Sequence, residues 1–436
     1  MKKSIIPFIF LIIVTVMALL MPAVPTAIIT EGINSGDTAW MLMATAMVLL
    51  MTPGLAYFYG GMIDSKNIIA TMLQSFIAMG VISVLWIVIG FSLAFGDSIG
   101  GFIGNPMTFF MFQGVLDGKP WSLAPTIPLA LFAFFQLKFA IITPALISGT
   151  FSERIKFESY ILFICLFSLF IYAPLAHMTW HPSGYLFGLG VLDFAGGTVV
   201  HMSAGLAALA ASIYLKGDKA SDPHAPANIP FVLLGTGLLW FGWFGFNGGS
   251  AVGAGSLAVS AFAATNTASA AAGITWVLFD VFRGKKPSAL AFCIGAVVGL
   301  VGITPACGFV TIPHSIVIGV VAALISNMVV TWKNKSSLSD TLDVFPCHGV
   351  GGMVGMLMTG IFANVAVNAA NTTGNGLFFG ETKLFFIHMM ALVIVSAFAF
   401  VGSYVLLFVV DKISPLKVSD EEYKMGLDLS QHGENL

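Results

Sequence analysis

The chain has 436 residues, of which 58% are hydrophobic and only 9% charged, with a mean hydropathy of +0.96 and a formal net charge of -2. A soluble globular chain carries about 25% charged residues, so this composition excludes a soluble domain and defines an integral membrane protein. No basic surplus exists to neutralise phosphates, which excludes nucleic acid as a partner.

The N-terminus reads as an export signal spanning residues 1–27. Lys2 and Lys3 precede an apolar run from Ile5 to Leu20, and Pro22-Ala-Val-Pro-Thr-Ala27 leads into polar Thr30-Glu31-Gly32, which predicts cleavage near Ala27. Then come apolar stretches close to the ~20 residues that cross a bilayer. They run about 39–62, 68–95, 128–147, 160–176, 194–215, 229–251, 257–282, 289–303, 316–332, 348–366 and 385–410. The expectation is an all-α protein with eleven spans, occupying residues 28–410, followed by a cytoplasmic tail at 411–436. The segment 96–127, rich in Gly, Phe and Pro, is expected to be an ordered loop.

Charge sets the orientation. Lys66, Arg154 and Lys156, Lys216 and Lys219, the cluster from Arg283 to Lys286, Lys333 and Lys335, and the Lys412–Lys424 tail all follow odd-numbered spans. Lys119 and Lys383 alone follow even-numbered ones. Positive charge accumulates on the cytoplasmic side, so the mature N-terminus is expected outside and the C-terminus inside, in a multi-pass protein of the cell membrane.

Four cysteines, Cys165, Cys293, Cys307 and Cys347, lie in apolar surroundings without a Cys-x-x-Cys pair. They are read as small core residues, with no metal site, disulfide framework or cofactor expected.

Two histidines lie in apolar spans: His201 in Gly197-Thr-Val-Val-His-Met-Ser-Ala-Gly205, and His348 in Asp343-Val-Phe-Pro-Cys-His-Gly-Val-Gly-Gly352. An ionisable group in the bilayer is expensive and marks a protein-lined pathway. One such histidine alone reads equally well as a neutral imidazole bonded to a carbonyl; two, each with a carboxylate nearby (Asp193 and Asp343), point to function.

The chain also echoes itself. Ile142-Thr-Pro-Ala145 near the end of span 3 recurs as Ile303-Thr-Pro-Ala306 at the end of span 8, and Gly60-Gly61 in span 1 recurs as Gly248-Gly249 in span 6. The shared offset of five spans is odd, so the second copy is expected to be inverted in the membrane. Inverted repeats are a transporter signature, with the route where the halves meet. Repeat 1 is placed at about 37–215, repeat 2 at about 229–367, and span 11 (about 385–410) outside both.

Several segments carry a specific resemblance. Asp193-Phe-Ala-Gly-Gly-Thr-Val-Val-His201, Gly242-Trp-Phe-Gly-Phe-Asn-Gly-Gly-Ser250, Phe139-Ala-Ile-Ile-Thr-Pro-Ala-Leu-Ile147 with Ser152-Glu-Arg154, Thr304-Pro-Ala-Cys-Gly308 and the His348 segment together resemble the ammonium transporter family (Amt/Mep, related to Rh proteins), in the family's order across the mature chain. The resemblance implies a homotrimer in which each subunit has its own narrow pore, and a substrate of ammonium or methylammonium. It implies an outer recruitment site at Phe139, Trp180 and Ser250, an aromatic constriction at Phe139 and Phe246, a supporting carboxylate at Asp193, and twin pore histidines at His201 and His348. The Trp180–Asp193 segment is one residue longer than the family pattern. Met425-Gly-Leu-Asp-Leu-Ser-Gln-His-Gly-Glu434 resembles the tail through which PII-type signal proteins regulate the family, with Gln431 and Asn435-Leu436 departing from its acidic, aromatic-ended form.

The chemistry is coherent. Ammonium is a compact cation with four N–H donors, suited to aromatic faces worth ~0.5–2 kcal/mol each and to a hydroxyl acceptor. Carrying the intact ion through a dry pore costs heavily, whereas neutral ammonia crosses an apolar lumen and facing imidazoles bond to it or relay its proton. Asp193 has the position of a helix cap as well as of a charge. Lys138 lies deep in span 3, about 100° around the helix from Phe139, and no partner follows from the sequence. A channel for carbon dioxide or water, and a transporter-like ammonium sensor, are the alternatives. A sensor is expected to carry a signalling domain larger than the ~25-residue tail, and no His-x-x-x-His spacing supports a metallohydrolase.

Overall fold

The computed structural model describes residues 5–21, 31–215 and 225–435. The cleavage site near Ala27 and the charges at Lys216 and Lys219 lie outside the described residues. Ile5–Leu20 forms an apolar helix, α1. After it come α2 (Ser35–Met62), α3 (Ser65–Phe95), α4 (Leu129–Phe151), α5 (Phe157–Leu189), α6 (Gly197–Tyr214), α7 (Ile229–Gly249), α8 (Ser256–Phe282), α9 (Ala289–Ile303), α10 (Ile312–Lys333), α11 (Phe345–Phe362) and α12 (Lys383–Ile413). Of α2 to α12, all but α9 are long and apolar enough to cross a membrane, and α9 has 15 residues. Each expected apolar stretch coincides with one of these helices.

The ends move for local reasons. Pro313 and Pro346 sit in the first turns of α10 and α11, where proline's missing N–H costs nothing, so these helices open at 312 and 345 instead of 316 and 348. The Asp193 carboxylate caps α6, which opens at Gly197 and not at 194. The 96–127 segment is a loop with one small antiparallel hairpin, Ser98–Ile99 against Ile103–Gly104.

Two helix pairs cross at the centre. On α2 and α7, Ala44 lies against Gly245, Met51 against Gly242, Phe58 against Gly235, and Gly61 against Asn228 and Val232, so the two helices run antiparallel. On α6 and α11, Gly197 approaches Gly352 while Gly205 approaches Gly349, again antiparallel. A methyl on Gly205 would stand 2.0 Å from the Gly349 nitrogen, so only glycine permits this crossing. Three buried ring donors are matched to carbonyls, as a water-free interior favours. Tyr59 donates to Leu146 O, Trp86 to Ala133 O and Tyr160 to Gln74 O, at 3.0, 3.1 and 2.9 Å.

The tail packs back on the bundle. After a short helix, α13 (Asp420–Met425), the Asp428 carboxylate accepts the backbone N–H groups of Ile69 and Ala70 at the head of α3, at 3.0 and 2.7 Å. Leu427 N–H donates to Asn67 Oδ1, and Gln431 Oε1 accepts Phe157 N–H, each at 2.8 Å. Gln431, the residue that departs from the family tail, is thus a helix-terminal acceptor for α5.

Candidate functional site

Three voids lie in series between the helices. The first is a wide mouth with about 1180 Å³ of open space, bordered by Trp180, Asp193, Ser250, Gln136 and Phe139. Beneath it the Phe139 and Phe246 rings stack, centroids 4.2 Å apart at 30°. On the far side of Phe246 is an apolar void bordered by Leu55, Ile142, Leu239, Trp243, His201 and His348. A third void continues from His348 past Cys347 and Tyr59 to Asp343.

The sequence-predicted residues therefore converge in one column. Trp180 meets Phe139 edge to face at 5.9 Å. Ser250 donates its hydroxyl to Phe246 O at 2.8 Å, which leaves its lone pairs for a donor in the mouth. His201 and His348 stack at 5.5 Å and 20°, with their Nδ1 atoms 3.3 Å apart. A hydrogen bond between two Nδ1 atoms needs one N–H and one lone pair. Two neutral rings so joined carry complementary tautomers, one with Nε2–H and the other with a free Nε2 lone pair. His201 Nε2 is buried without a hydrogen-bond partner among the described residues.

Both histidines ride on π-helical turns at the heads of their helices, Gly197–Met202 and Phe345–Val350. Such turns widen the backbone spiral and re-aim side chains. Asp193 anchors the first of them. Its Oδ1 accepts Gly196 and Gly197 N–H at 2.8 and 2.6 Å, and its Oδ2 accepts Thr198 N–H at 2.7 Å together with the Thr198 hydroxyl. Its cap role is thus geometrically explicit.

The second turn is capped by Asp340, which accepts Phe345 N–H at 2.8 Å and the Thr150 hydroxyl at 2.6 Å. Asp343, with φ 56°, instead pairs with Lys333 at 2.7 Å beside the third void. Burial, outweighing the attraction of Lys333, pushes the Asp343 carboxyl up to about 6. Lys138 turns away from the column, with its ammonium 5.7 Å from the Phe134 ring centroid on the exposed flank of α4.

Several residues escaped the sequence reading. Trp243 stacks on His201 at 5.3 Å and 15°, and its indole donates to Thr304 Oγ1 at 2.9 Å. That bond ties the ring to the Thr-Pro-Ala motif, which was the available signal. Gln136 Oε1 and Thr179 Oγ1 border the mouth, buried and without hydrogen-bond partners among the described residues. A glutamine one turn before Phe139 in an apolar span is the mark that would have found the former. Two more histidines, His177 and His388, are fully buried in α5 and α12, so His201 and His348 are not alone within helices. No group of three or more metal-ligating side chains occurs among the described residues.

Comparison with known proteins gives a consistent result. A family model described as Ammonium Transporter Family matches residues 39–436. A putative ammonium transporter of Methanothermobacter thermautotrophicus is 47% identical, covering 92% of this chain and 98% of its own. The crystal structure of Saccharomyces cerevisiae Mep2 superposes with a TM-score of 0.84 at 34% identity, covering 90% of this chain and 89% of that one. A sensor Amt protein superposes with a TM-score of 0.82 at 29% identity, covering 91% and 98%.

Proposed function

The chain belongs to the ammonium transporter family, and from that premise we propose that it draws ammonium into the wide mouth, strips one proton there and conducts ammonia past the paired histidines. Membership and the apolar helices make it a multi-pass membrane transporter. One observation carries the mechanism: a stacked phenylalanine pair separates a mouth containing a carboxylate and an indole from a void whose polar lining is two imidazoles.

The chemistry proceeds from that separation. In the mouth, the Trp180 and Phe139 rings and the Ser250 oxygen receive a bare cation, and the Asp193 charge attracts it from beyond contact. The Phe139–Phe246 stack offers no replacement for a hydration shell, so an ion crossing it would shed water uncompensated. Ammonium escapes this cost by giving one proton to water in the open mouth, with or without a separate relay of that proton across the membrane. Ammonia beyond the stack meets one Nε2 donor and one Nε2 acceptor, which match its lone pair and its N–H groups. Potassium has no proton to give up and is excluded.

The wider arrangement belongs to the same proposal. The antiparallel α2–α7 and α6–α11 pairs support two inverted halves of five spans each, with α12 as the eleventh span. The loop charges favour an outward mouth and a cytoplasmic tail, with assembly as a homotrimer in the cell membrane. A PII-type partner acting on the tail would pull directly on the heads of α3 and α5, which Asp428 and Gln431 cap. The test is stopped-flow uptake into proteoliposomes of ammonium, methylammonium, water and carbon dioxide. Saturable uptake of the first two alone is expected; protein-dependent carbon dioxide or water flux without ammonium flux would replace this reading by the neutral-solute channel.

A further inference from the structure

His388 lies on α12, outside both halves, with no exposed surface. Its Nδ1 is 2.7 Å from Met356 O on α11, and its Nε2 is 3.1 Å from the backbone nitrogen of Leu192 in the loop joining α5 to α6. A carbonyl only accepts and a backbone N–H only donates. The imidazole is therefore neutral, with hydrogen on Nδ1 and a lone pair on Nε2, and both ring nitrogens are engaged.

The bonded segment carries the mouth. Leu192 and Asp193 both border it, whereas His388 does not. The Asp193 carbonyl accepts the Trp180 indole N–H at 3.0 Å, and the Asp193 carboxylate caps the turn that bears His201. On either side the loop is held by backbone, with Val191 N–H on Leu186 O at 3.1 Å and Phe194 N–H on Pro305 O at 3.2 Å. Between them, Leu192 N–H takes its acceptor from a side chain, His388. A buried irregular segment needs its backbone groups matched.

The geometry points to His388 as the positioning residue of the recruitment site: by tying Leu192 to α11 and α12 it fixes the Asp193 backbone, and through it the angle of the Trp180 ring at the mouth. This rests on the transport reading above and adds a role for α12. The helix outside the two halves sets substrate affinity from behind the site, without touching substrate. Loss of the Leu192 bond frees the Asp193 carbonyl to shift, and the cation then meets a misaligned Trp180 ring, whereas the Asp193 carboxylate, held by its own hydrogen bonds, keeps the turn bearing His201 in place.

The test is methylammonium uptake by purified, reconstituted His388→Ala, His388→Leu and His388→Gln beside wild type and Trp180→Ala. Alanine and leucine remove both hydrogen bonds, leucine while filling the space; glutamine offers a donor and an acceptor on one amide. The expected result is an apparent KM raised about tenfold in the alanine and leucine variants, the equivalent of one lost hydrogen bond, with Vmax within about twofold of wild type. Trp180→Ala is expected to move KM the same way, and glutamine to restore it. If alanine does not yield monodisperse protein, leucine and glutamine carry the same comparison. An unchanged KM in the variants that fold, a fall in Vmax alone, or a glutamine variant as impaired as leucine overturns the positioning role. Wild-type protein that carries no methylammonium overturns the transport reading as well.

Discussion

Asp193→Asn separates charge from capping, and the structure gives the size of each. Oδ1 accepts two backbone N–H groups, while Oδ2 accepts the Thr198 N–H and hydroxyl. An asparagine retains the first pair but sets an NH₂ donor against the Thr198 N–H donor, so that bond to a charged group is lost, while the Thr198 hydroxyl turns to accept from the NH₂. A bond to a charged group contributes about 1.5–3 kcal/mol, which is the expected loss. Alanine loses all four and leaves three N–H groups at the head of α6 unmatched, which predicts a larger loss still. Transport should fall further than stability, because the mouth loses its charge and the turn bearing His201 loosens. The assay is thermal melting of detergent-purified protein in parallel with methylammonium uptake. Wild-type uptake by the asparagine variant would refute the role of the charge, and an unchanged melting temperature would refute the capping arithmetic.

Other expectations follow from the same column. Phe246→Ala should abolish or strongly impair ammonium conduction, because Phe246 touches both the Phe139 ring and the His201 face; Phe139→Ala should be milder and admit larger or hydrated cations, read as methylammonium against potassium uptake. His201→Ala or His348→Ala should fold and yet lose conduction or selectivity, and normal selective uptake by both purified variants would remove the imidazoles from the mechanism. For Asp343, a carboxyl raised to about 6 favours the folded state in its protonated form. The stabilisation is present below its ordinary value and lost as pH rises through about 6, so the melting temperature of wild type minus that of Asp343→Asn should decrease between pH 4 and 7. A difference that grows over that range would contradict this environment for Asp343.

Much of the architecture was legible because the bilayer imposes it. Apolar runs of fixed length mark spans, and Gly61 and Gly249 of the two glycine pairs lie where α2 and α7 pack. Residues brought together from distant segments, such as Phe139, Phe246, His201 and His348, were legible through family resemblance, since no spacing along the chain encodes a 4.2 Å ring stack. What stayed hidden depended on backbone detail. Asp343 shares a void with His348, but its pairing with Lys333 at a left-handed turn and the capping of α11 by Asp340 follow only from the backbone path. π-Helical turns have no residue signature, and Trp243 reads as packing until its indole is seen on Thr304. His388, in a long apolar run, gains meaning only from the loop that α12 meets.

The central claim is that selection rests on surrender of a proton at the stack, and it is tested most directly by measuring ammonium and potassium flux through the same reconstituted protein under equal gradients. Saturable ammonium flux with no protein-dependent potassium flux is expected, even with potassium in large excess; potassium flux comparable to that of ammonium would show that ions cross the stack intact.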